Sequence, residues 1–300
     1  MKIPHIPVLY NEVLDIFKDI NNDYIIDCTV GYGGHSYGLI KQNHNIKLIC
    51  NDQDEEALDF SKNRLIDFHN RIMFNKDNFS KLINKFISFP IKGILADIGV
   101  SSLQLDKLER GFSFKSSNLD MRMDRNQDLT AEYIINNYSK KDLEKLLKDY
   151  GEVKDYINIT SLIIKNRPFD SAKQLSDLLT KNINKFRISP ATLVFQALRI
   201  EVNNELSVLK DLFNSIEKSN LKNCIVTIIS FHSLEDRIVK NYFKKWSSSC
   251  ICEDNIMKCL CGNNNKKGNI LTKKPITPTS YEINKNPRSR SSKLRVFKFD

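Results

Sequence analysis

"DCTVGYGGHSYG", residues 27–38, continues the apolar run "DYII" and opens a helix-like stretch. Three glycines fall within four positions: Gly31, Gly33 and Gly34. A glycine-rich turn between a first strand and a helix suits a ligand held at the strand's carboxyl end. The dinucleotide pattern G-x-G-x-x-G takes Gly31 and Gly33 but meets Ser36 at its last position, and the Gly-Lys-Ser/Thr of a P-loop is missing. On its own the stretch is equally an ordinary tight turn.

The flanking sequence decides for a nucleoside site. "IKLICND" (46–52), "RIMFNK" (71–76) and "IKGILADIGV" (91–100) read as further short buried strands, and "DEEALDFSKNRLIDF" (54–68) as a helix between two of them. This βαβ rhythm predicts an α/β fold with a parallel, doubly wound sheet. Asp52 ends the second strand, 21 residues after Gly31. An acid there accepts hydrogen bonds from the ribose hydroxyls of an adenosine group. Asp54 reads instead as a helix N-cap. NAD and S-adenosylmethionine both remain open at this point.

After about residue 105 the rhythm changes. "SKKDLEKLLKDYG" (139–151) starts at Ser139 as N-cap, puts Leu143, Leu146, Leu147 and Tyr150 on one face, and stops at Gly151. "SPATLVFQALRIEVNNELSVLKDLF" (189–213) starts at Ser189 with Pro190 in the first turn. Strand character returns at "NCIVTIISFH" (223–232) and "KLRVFKF" (293–299), whereas "GNNNKKGNILTKK" (262–274) reads as a loop. The expected organisation is a discontinuous domain, 1–105 and 219–300, interrupted by a helical insertion, 106–218, that recognises substrate.

Three hundred residues with 41% hydrophobic side chains can bury a large core. No apolar run approaches a membrane span, and the first residues lack the apolar core of a signal peptide. A cytoplasmic location and no membrane partner are the expectation. The net charge of +10 is a C-terminal property: residues 237–300 hold 15 Lys/Arg against 4 Asp/Glu, and the first 236 hold 31 against 32. A localised cationic region points to a polyanion, and nucleic acid is the commonest one.

"ILADIGVSSLQLD" (94–106) places Asp97 at the carboxyl end of a buried strand, beside the crevice where the cofactor is expected. No acid/base set for a dehydrogenase accompanies it. A polar acceptor at this strand end can hold an exocyclic amine in line with a methyl donor.

Several stretches together resemble the MraW/RsmH family of small-subunit ribosomal RNA cytosine-N4 methyltransferases: "HIPVL" (5–9), "DCTVGYGGHS" (27–36), "ILADIGVSSLQLD" (94–106), "RGFSF" (110–114), "LDMRMD" (119–124), "FQALRIEVNNEL" (195–206), "ISFHSLEDRIVK" (229–240) and "NPRSRSSKLR" (286–295). The resemblance implies a Rossmann-like domain with an inserted helical domain and S-adenosylmethionine as cofactor. The implied partner is a decoding-region cytosine of 16S ribosomal RNA in the small ribosomal subunit. DNA is not an expected partner, and the assembly is a monomer or a dimer. Cofactor contacts carry over to Gly33, Gly34, His35, Asp52, Phe79, Asp97 and Gln104. Phe79 would pack on the adenine ring, and His35 would lie near the methionine end.

The N4 amine of cytosine is a poor nucleophile because its lone pair is delocalised into the ring. Acceptors on its N–H groups favour the pyramidal form, and alignment then lowers the barrier. Asp97 is the candidate acceptor, although the Asp/Asn-Pro-Pro-aromatic signature of many amino-methyltransferases is here Asp97-Ile98-Gly99-Val100. In "SFHSLEDR", Phe231 or His232 can stack on a flipped base, and His232 is the second catalytic candidate. Glu235, Asp236 and Arg237 read alternatively as helix-start carboxylates and an internal ion pair. Arg122 is expected to meet RNA or a local acid. Arg288, Arg290, Lys293 and Arg295 are candidate phosphate contacts.

Cys28, Cys50 and Cys224 lie in strand-like runs and read as small hydrophobes. Cys250, Cys252, Cys259 and Cys261 form C-x-C, six residues, C-x-C. Four thiols this close can close a tetrahedral zinc site, but ribbons favour C-x-x-C and methyl transfer needs no zinc. A reduced loop without metal is the expectation. The rival functions are a non-catalytic RNA-binding assembly factor on the same fold and a nicotinamide-dependent oxidoreductase.

Overall fold

The structure, a computed structural model, describes residues 7–182, 188–252 and 259–300. His5 and Ile6 of the quoted "HIPVL" lie outside the described residues. The chain divides into two compact units, residues 1–99 with 208–300, and residues 100–207. The sequence placed the boundaries at 105/106 and 218/219.

The first unit is built on a seven-stranded sheet: β1 (Tyr24–Asp27), β2 (Lys47–Asp52), β3 (Ile72–Lys76), β4 (Ile91–Asp97), β5 (Ile225–Ser230), β6 (Gly268–Ile270) and β7 (Lys293–Phe299). Its order is β3-β2-β1-β4-β5-β7-β6. The first five strands are mutually parallel, and β7 runs antiparallel to both β5 and β6. Chain order reverses between β1 and β4, so the crevice of this Rossmann-like sheet opens at their carboxyl ends.

The parallel strands are apolar on both faces because helices cover both. Ile26, Ile49, Ile94, Val226 and Ile228 join one buried cluster, and Ile25, Leu48, Cys50 and Leu95 join another. Trp246 is fully buried in the first, ringed by Phe213, Phe243, Phe297 and Phe299. Strand β7 is buried along nearly its whole length.

Helices α1 (Tyr10–Phe17), α2 (Gly34–Gln42), α3 (Glu55–Arg64) and α4 (Leu82–Lys85) fill the connections before β4. Asp54 caps α3 by accepting from the Glu56 amide at 3.1 Å. The Asn/Lys-rich run read as a loop contains β6, a three-residue edge strand whose pairing with β7 leaves no hydrophobic alternation in its own sequence.

The second unit is helical: α5 (Ser102–Asp106), α6 (Ala131–Asn137), α7 (Lys140–Asp149), α8 (Tyr156–Lys165), α9 (Ala172–Asn182) and α10 (Pro190–Asn203). The Ser139 side chain caps α7 by accepting from the Asp142 amide at 3.2 Å, and Leu143, Leu146 and Leu147 are buried in the unit's core. Ser139→Ala is expected to cost about 1 kcal/mol, read as an earlier chemical-denaturation midpoint. The single helix expected from 189 onward breaks at Asn204. This residue ends α10 in the left-handed conformation (φ 50°), which asparagine tolerates, and the chain restarts as α11 (Glu205–Lys218). The first unit is completed by α12 (Ser233–Ser247) and α13 (Ser280–Lys285). Among the described residues no helix is long and apolar enough to cross a membrane.

Candidate active site

The glycine turn is pinned at both ends. The Gly33 amide donates to the Val30 carbonyl at 2.7 Å, and the Gly31 amide donates to Asp52 Oδ2 at 2.9 Å. Gly31 (φ 50°) and Gly33 (φ 70°) both occupy the left-handed region, which glycine enters at no steric cost. At Gly34, the first residue of α2, the close approach is internal. A Cβ there would lie 2.3 Å from Pro7 Cγ, so Pro7 demands this glycine.

Three carboxyl groups gather at the carboxyl ends of β1, β2 and β4. Asp27 is buried, with Oδ2 accepting from Ser36 Oγ at 2.6 Å and Oδ1 from the Thr29 amide at 3.2 Å. Burial pushes its pKa up to about 6. Asp52 takes the Gly31 amide on one oxygen and the Asp54 amide, at 2.9 Å, on the other. Burial raises it to about 7. Each Asp52 oxygen retains lone-pair capacity for a hydroxyl donor.

Asp97 ends β4, and its amide donates to Thr29 Oγ1 at 2.9 Å, tying the ends of β1 and β4 together. Burial, then the neighbouring charges of Asp27 and Glu235, push its pKa up to about 8. The side chain keeps 23% of its surface, so water tempers that shift, but the upward direction follows from the like charges around it. Oδ1 is itself buried with no hydrogen-bond partner among the described residues. A buried acceptor without a donor is costly, which marks this oxygen as one that awaits a ligand.

His35 is buried on α2, with Nε2 2.9 Å from the Val8 carbonyl. A carbonyl only accepts, so Nε2 carries a proton, and Nδ1 lies 3.9 Å from Asp97 Oδ2. Phe79 opens a short 3₁₀ turn after β3 and is half-buried against the apolar cluster holding Leu82 and Ile83. Gly33, Gly34, His35, Asp52, Phe79 and Asp97 thus all belong to the first unit. Gln104 belongs to the second, where its Oε1 accepts from the Ser101 amide at 3.0 Å in a capping box at the start of α5.

His232 caps α12. Its Nδ1 faces the Glu235 amide at 3.4 Å, and Glu235 Oε2 accepts from the Phe231 and His232 amides at 2.8 and 3.2 Å. Glu235 Oε1 lies 3.0 Å from His232 Nε2 without the alignment of a hydrogen bond. Glu235 is therefore a helix-start carboxylate. Phe231 packs its ring against Gly99 at the end of β4; a Cβ on that glycine would be 2.9 Å from the ring.

The C-terminal cations divide. Arg295, buried on β7, donates to both oxygens of Asp236 at 2.6 and 3.2 Å, and Lys293 donates to the same carboxylate at 3.2 Å. Arg295 is thus paired inside the protein, whereas Lys293 shares the same carboxylate from a partly exposed position. Arg288 and Arg290 are exposed. A groove lined by Lys240, Lys244, Lys266 and Lys273, which sequence reading did not single out because they are spread over 34 positions, adds a second cationic surface. In the second unit, Arg122 meets its local acid: two guanidinium nitrogens donate to the two oxygens of Asp120 at 2.8 and 2.9 Å. Asp27 was also missed, although it stands one strand-end from the glycines; as a lone acid in "IIDCTV" it gave no separate signal.

Among the described residues, none of the three crevice acids has a lysine or arginine partner. The arrangement suits a cationic ligand with ribose hydroxyls.

Comparisons with known proteins agree with this chemistry. The family model described as the MraW methylase family matches residues 2–300. A protein of Aliarcobacter butzleri (strain RM4018) named "Ribosomal RNA small subunit methyltransferase H" is 66% identical over 300 residues, covering 100% of both chains. Proteins of the same name from Sulfurimonas denitrificans (strain ATCC 33889 / DSM 1251) and Campylobacter jejuni subsp. jejuni serotype O:6 (strain 81116 / NCTC 11828) are 55% and 54% identical, covering 98% and 100% of this chain and 98% of each relative. A family match over residues 2–300, with relatives at 54–66% identity along the whole chain, means that this chain belongs to the MraW methylase family.

Proposed function

We propose that this methyltransferase methylates the exocyclic N4 amine of a cytosine in the decoding region of 16S ribosomal RNA, within the small ribosomal subunit. The observation that carries the reading is Asp97 Oδ1, a buried acceptor at the crevice with no donor of its own. The methyl donor is S-adenosylmethionine, which when bound supplies an electrophilic methyl group on a cationic sulfur. Asp27, Asp52 and Asp97 suit that positive charge: burial raises all three pKa values, and a cation brought into the crevice favours their ionised forms.

The roles follow from what each group has left to give. Asp52 receives ribose hydroxyls, and the half-buried ring of Phe79 receives an adenine face. Asp97 Oδ1 accepts an N–H of the target amine and holds the nitrogen lone pair toward the crevice. The amine's proton leaves after attack, with Asp97 as its acceptor. Phe231 at the β4–β5 edge is the stacking partner for an extruded base. Gln104 and the helical unit serve substrate recognition.

Exposed Arg288 and Arg290, with the lysine groove, hold phosphates. Arg290→Ala is expected to weaken binding to small subunits and to flatten its logarithmic salt dependence by roughly 0.7–0.9, measured by filter binding across a salt series. An unchanged slope removes Arg290 from the interface.

The assignment to the decoding region is tested with a labelled methyl group. Small subunits lacking their decoding-region methylations are incubated with the protein, and their 16S RNA is cut into defined fragments. Label confined to the decoding-region fragment is the expected result; label elsewhere, or none with cofactor bound, overturns it.

A further inference from the structure

The four clustered cysteines are drawn together by something other than burial. They sit between α12 and β6, and all four sulfurs lie within 4.8 Å of one another. Cys250 and Cys259 Sγ are 3.6 Å apart, Cys259 and Cys261 3.5 Å, and Cys250 and Cys261 3.8 Å. A disulfide requires about 2.05 Å, and none is present: all four cysteines are free. Four sulfurs at about 2.3 Å from a central zinc stand about 3.8 Å from one another in a regular tetrahedron. The three separations among Cys250, Cys259 and Cys261 lie within about 0.3 Å of that edge, and Cys252 Sγ is within 4.8 Å of each of them.

The backbone is arranged for thiolates as well. The residue inside each C-x-C turns its amide toward a sulfur of the other pair. Ile251 N–H donates to Cys261 Sγ at 3.4 Å, and Leu260 N–H donates to Cys252 Sγ at 3.3 Å. The two dipeptides brace each other reciprocally, and donors directed at sulfur stabilise its anionic form. Meanwhile the side chains of Ile251 and Leu260 point out, 51% and 78% exposed. Hydrophobic collapse would bury this leucine and isoleucine rather than turn them out. Cys250 and Cys259 are exposed and Cys252 and Cys261 half-buried, so burial alone does not hold the four thiols in mutual contact.

The flanks hold this geometry in place. The Asn265 amide donates to the Ser249 carbonyl at 3.0 Å, its side-chain amide donates to the Cys261 carbonyl at 3.1 Å, and the Lys267 amide donates to the Trp246 carbonyl at 2.8 Å. The pairs are thereby tied to the end of α12 and the start of β6.

We propose that Cys250, Cys252, Cys259 and Cys261 bind one zinc ion as a closed, structural tetrathiolate site. This departs from the reduced, metal-free loop that the spacing and the reaction suggest. The ion takes no part in methyl transfer; it closes the connection between α12 and β6. Binding displaces up to four thiol protons to solvent, so occupancy falls as pH falls.

Mass-spectrometric metal analysis of the full, tag-free chain, purified under reducing conditions, tests the proposal. About one zinc per chain is expected, together with slow reaction of the four thiols until a chelator is added. Exchange for cobalt is expected to give the intense ligand-field bands of a tetrahedral thiolate complex. The Cys259→Ser/Cys261→Ser double variant is expected to lose the metal while still binding S-adenosylhomocysteine. A chain without metal that takes up no zinc after reduction overturns the proposal, as does iron at one equivalent in zinc's place. Zinc retained by the double variant also overturns it, by placing the metal elsewhere. The metal content of the unmodified chain decides the matter even if the variant does not fold.

Discussion

Asp97→Asn lowers kcat/KM for methyl transfer by roughly 10²–10⁴-fold in the expected result, with the fold intact. The substitution keeps the size of the side chain but turns an acceptor into a mixed donor and acceptor, and it cannot take up the amine's proton. In the folded chain Oδ1 has no donor to lose, and the carboxyl repels Asp27 and Glu235. Thermal unfolding of the variant should therefore occur at the same temperature or a higher one. Steady-state kinetics on small subunits, with unfolding followed by circular dichroism, separates the two effects. A variant within threefold of the parent rate would remove Asp97 from the chemistry.

The pH dependence carries a definite sign. Asp27, Asp52 and Asp97 all have folded pKa values, about 6, 7 and 8, above the unfolded carboxylate value of about 3.9. Between those limits the folded state binds more protons than the unfolded one. Stability without cofactor is thus fullest below about pH 4 as far as these groups are concerned, and it declines as pH rises toward about 8. The three acids repel one another and titrate as a set. Asp97→Asn should flatten the upper part of that decline. For the reaction the direction is opposite: kcat/KM should rise with pH toward about 8 as Asp97 ionises, and the variant should lose that limb.

Asp52→Ala should raise the Kd for S-adenosylhomocysteine by about 10² or more, read by calorimetry. Two hydrogen bonds from ribose hydroxyls to a charged acceptor are worth about 1.5–3 kcal/mol each. The same change orphans the Gly31 and Asp54 amides that Asp52 now receives, loosening the glycine turn from the end of β2. Asp52→Asn keeps an oxygen for one amide and should fall between the two. An affinity within twofold of the parent in both variants would make Asp52 a loop anchor alone.

The glycine turn, Asp52 and Asp97 were legible in the sequence because each stands where a strand stops, and strands announce themselves by apolar runs. The parallel sheet followed from their spacing. Ser139 and Asp54 were legible as caps because capping is a local reaction of a side chain with its own chain. What escaped was non-local. Nothing near Arg295 in sequence reveals Asp236, 59 residues earlier, as its partner. Nothing in the polar run "GNNNKKGN" (262–269) reveals that β7 will recruit a short edge strand. The α10–α11 break turns on the single backbone state of Asn204, which an apolar period does not register. The cap that His232 forms with the Glu235 amide was likewise not legible, because histidine is not a usual capping residue. The cysteine spacing was visible, but the reciprocal amide-to-sulfur bonds that favour a metal were not.

The central claim is transfer of a methyl group to cytosine N4, and nucleoside mass spectrometry reads it most directly. Small subunits lacking their decoding-region methylations are incubated with the protein and S-adenosylmethionine, and the RNA is digested to nucleosides. New N4-methylcytidine, formed by the parent chain and lost with Asp97→Asn, is the result this account predicts. A methyl group on another base or another cytosine atom, or no methylated cytidine while S-adenosylhomocysteine binds, would contradict it.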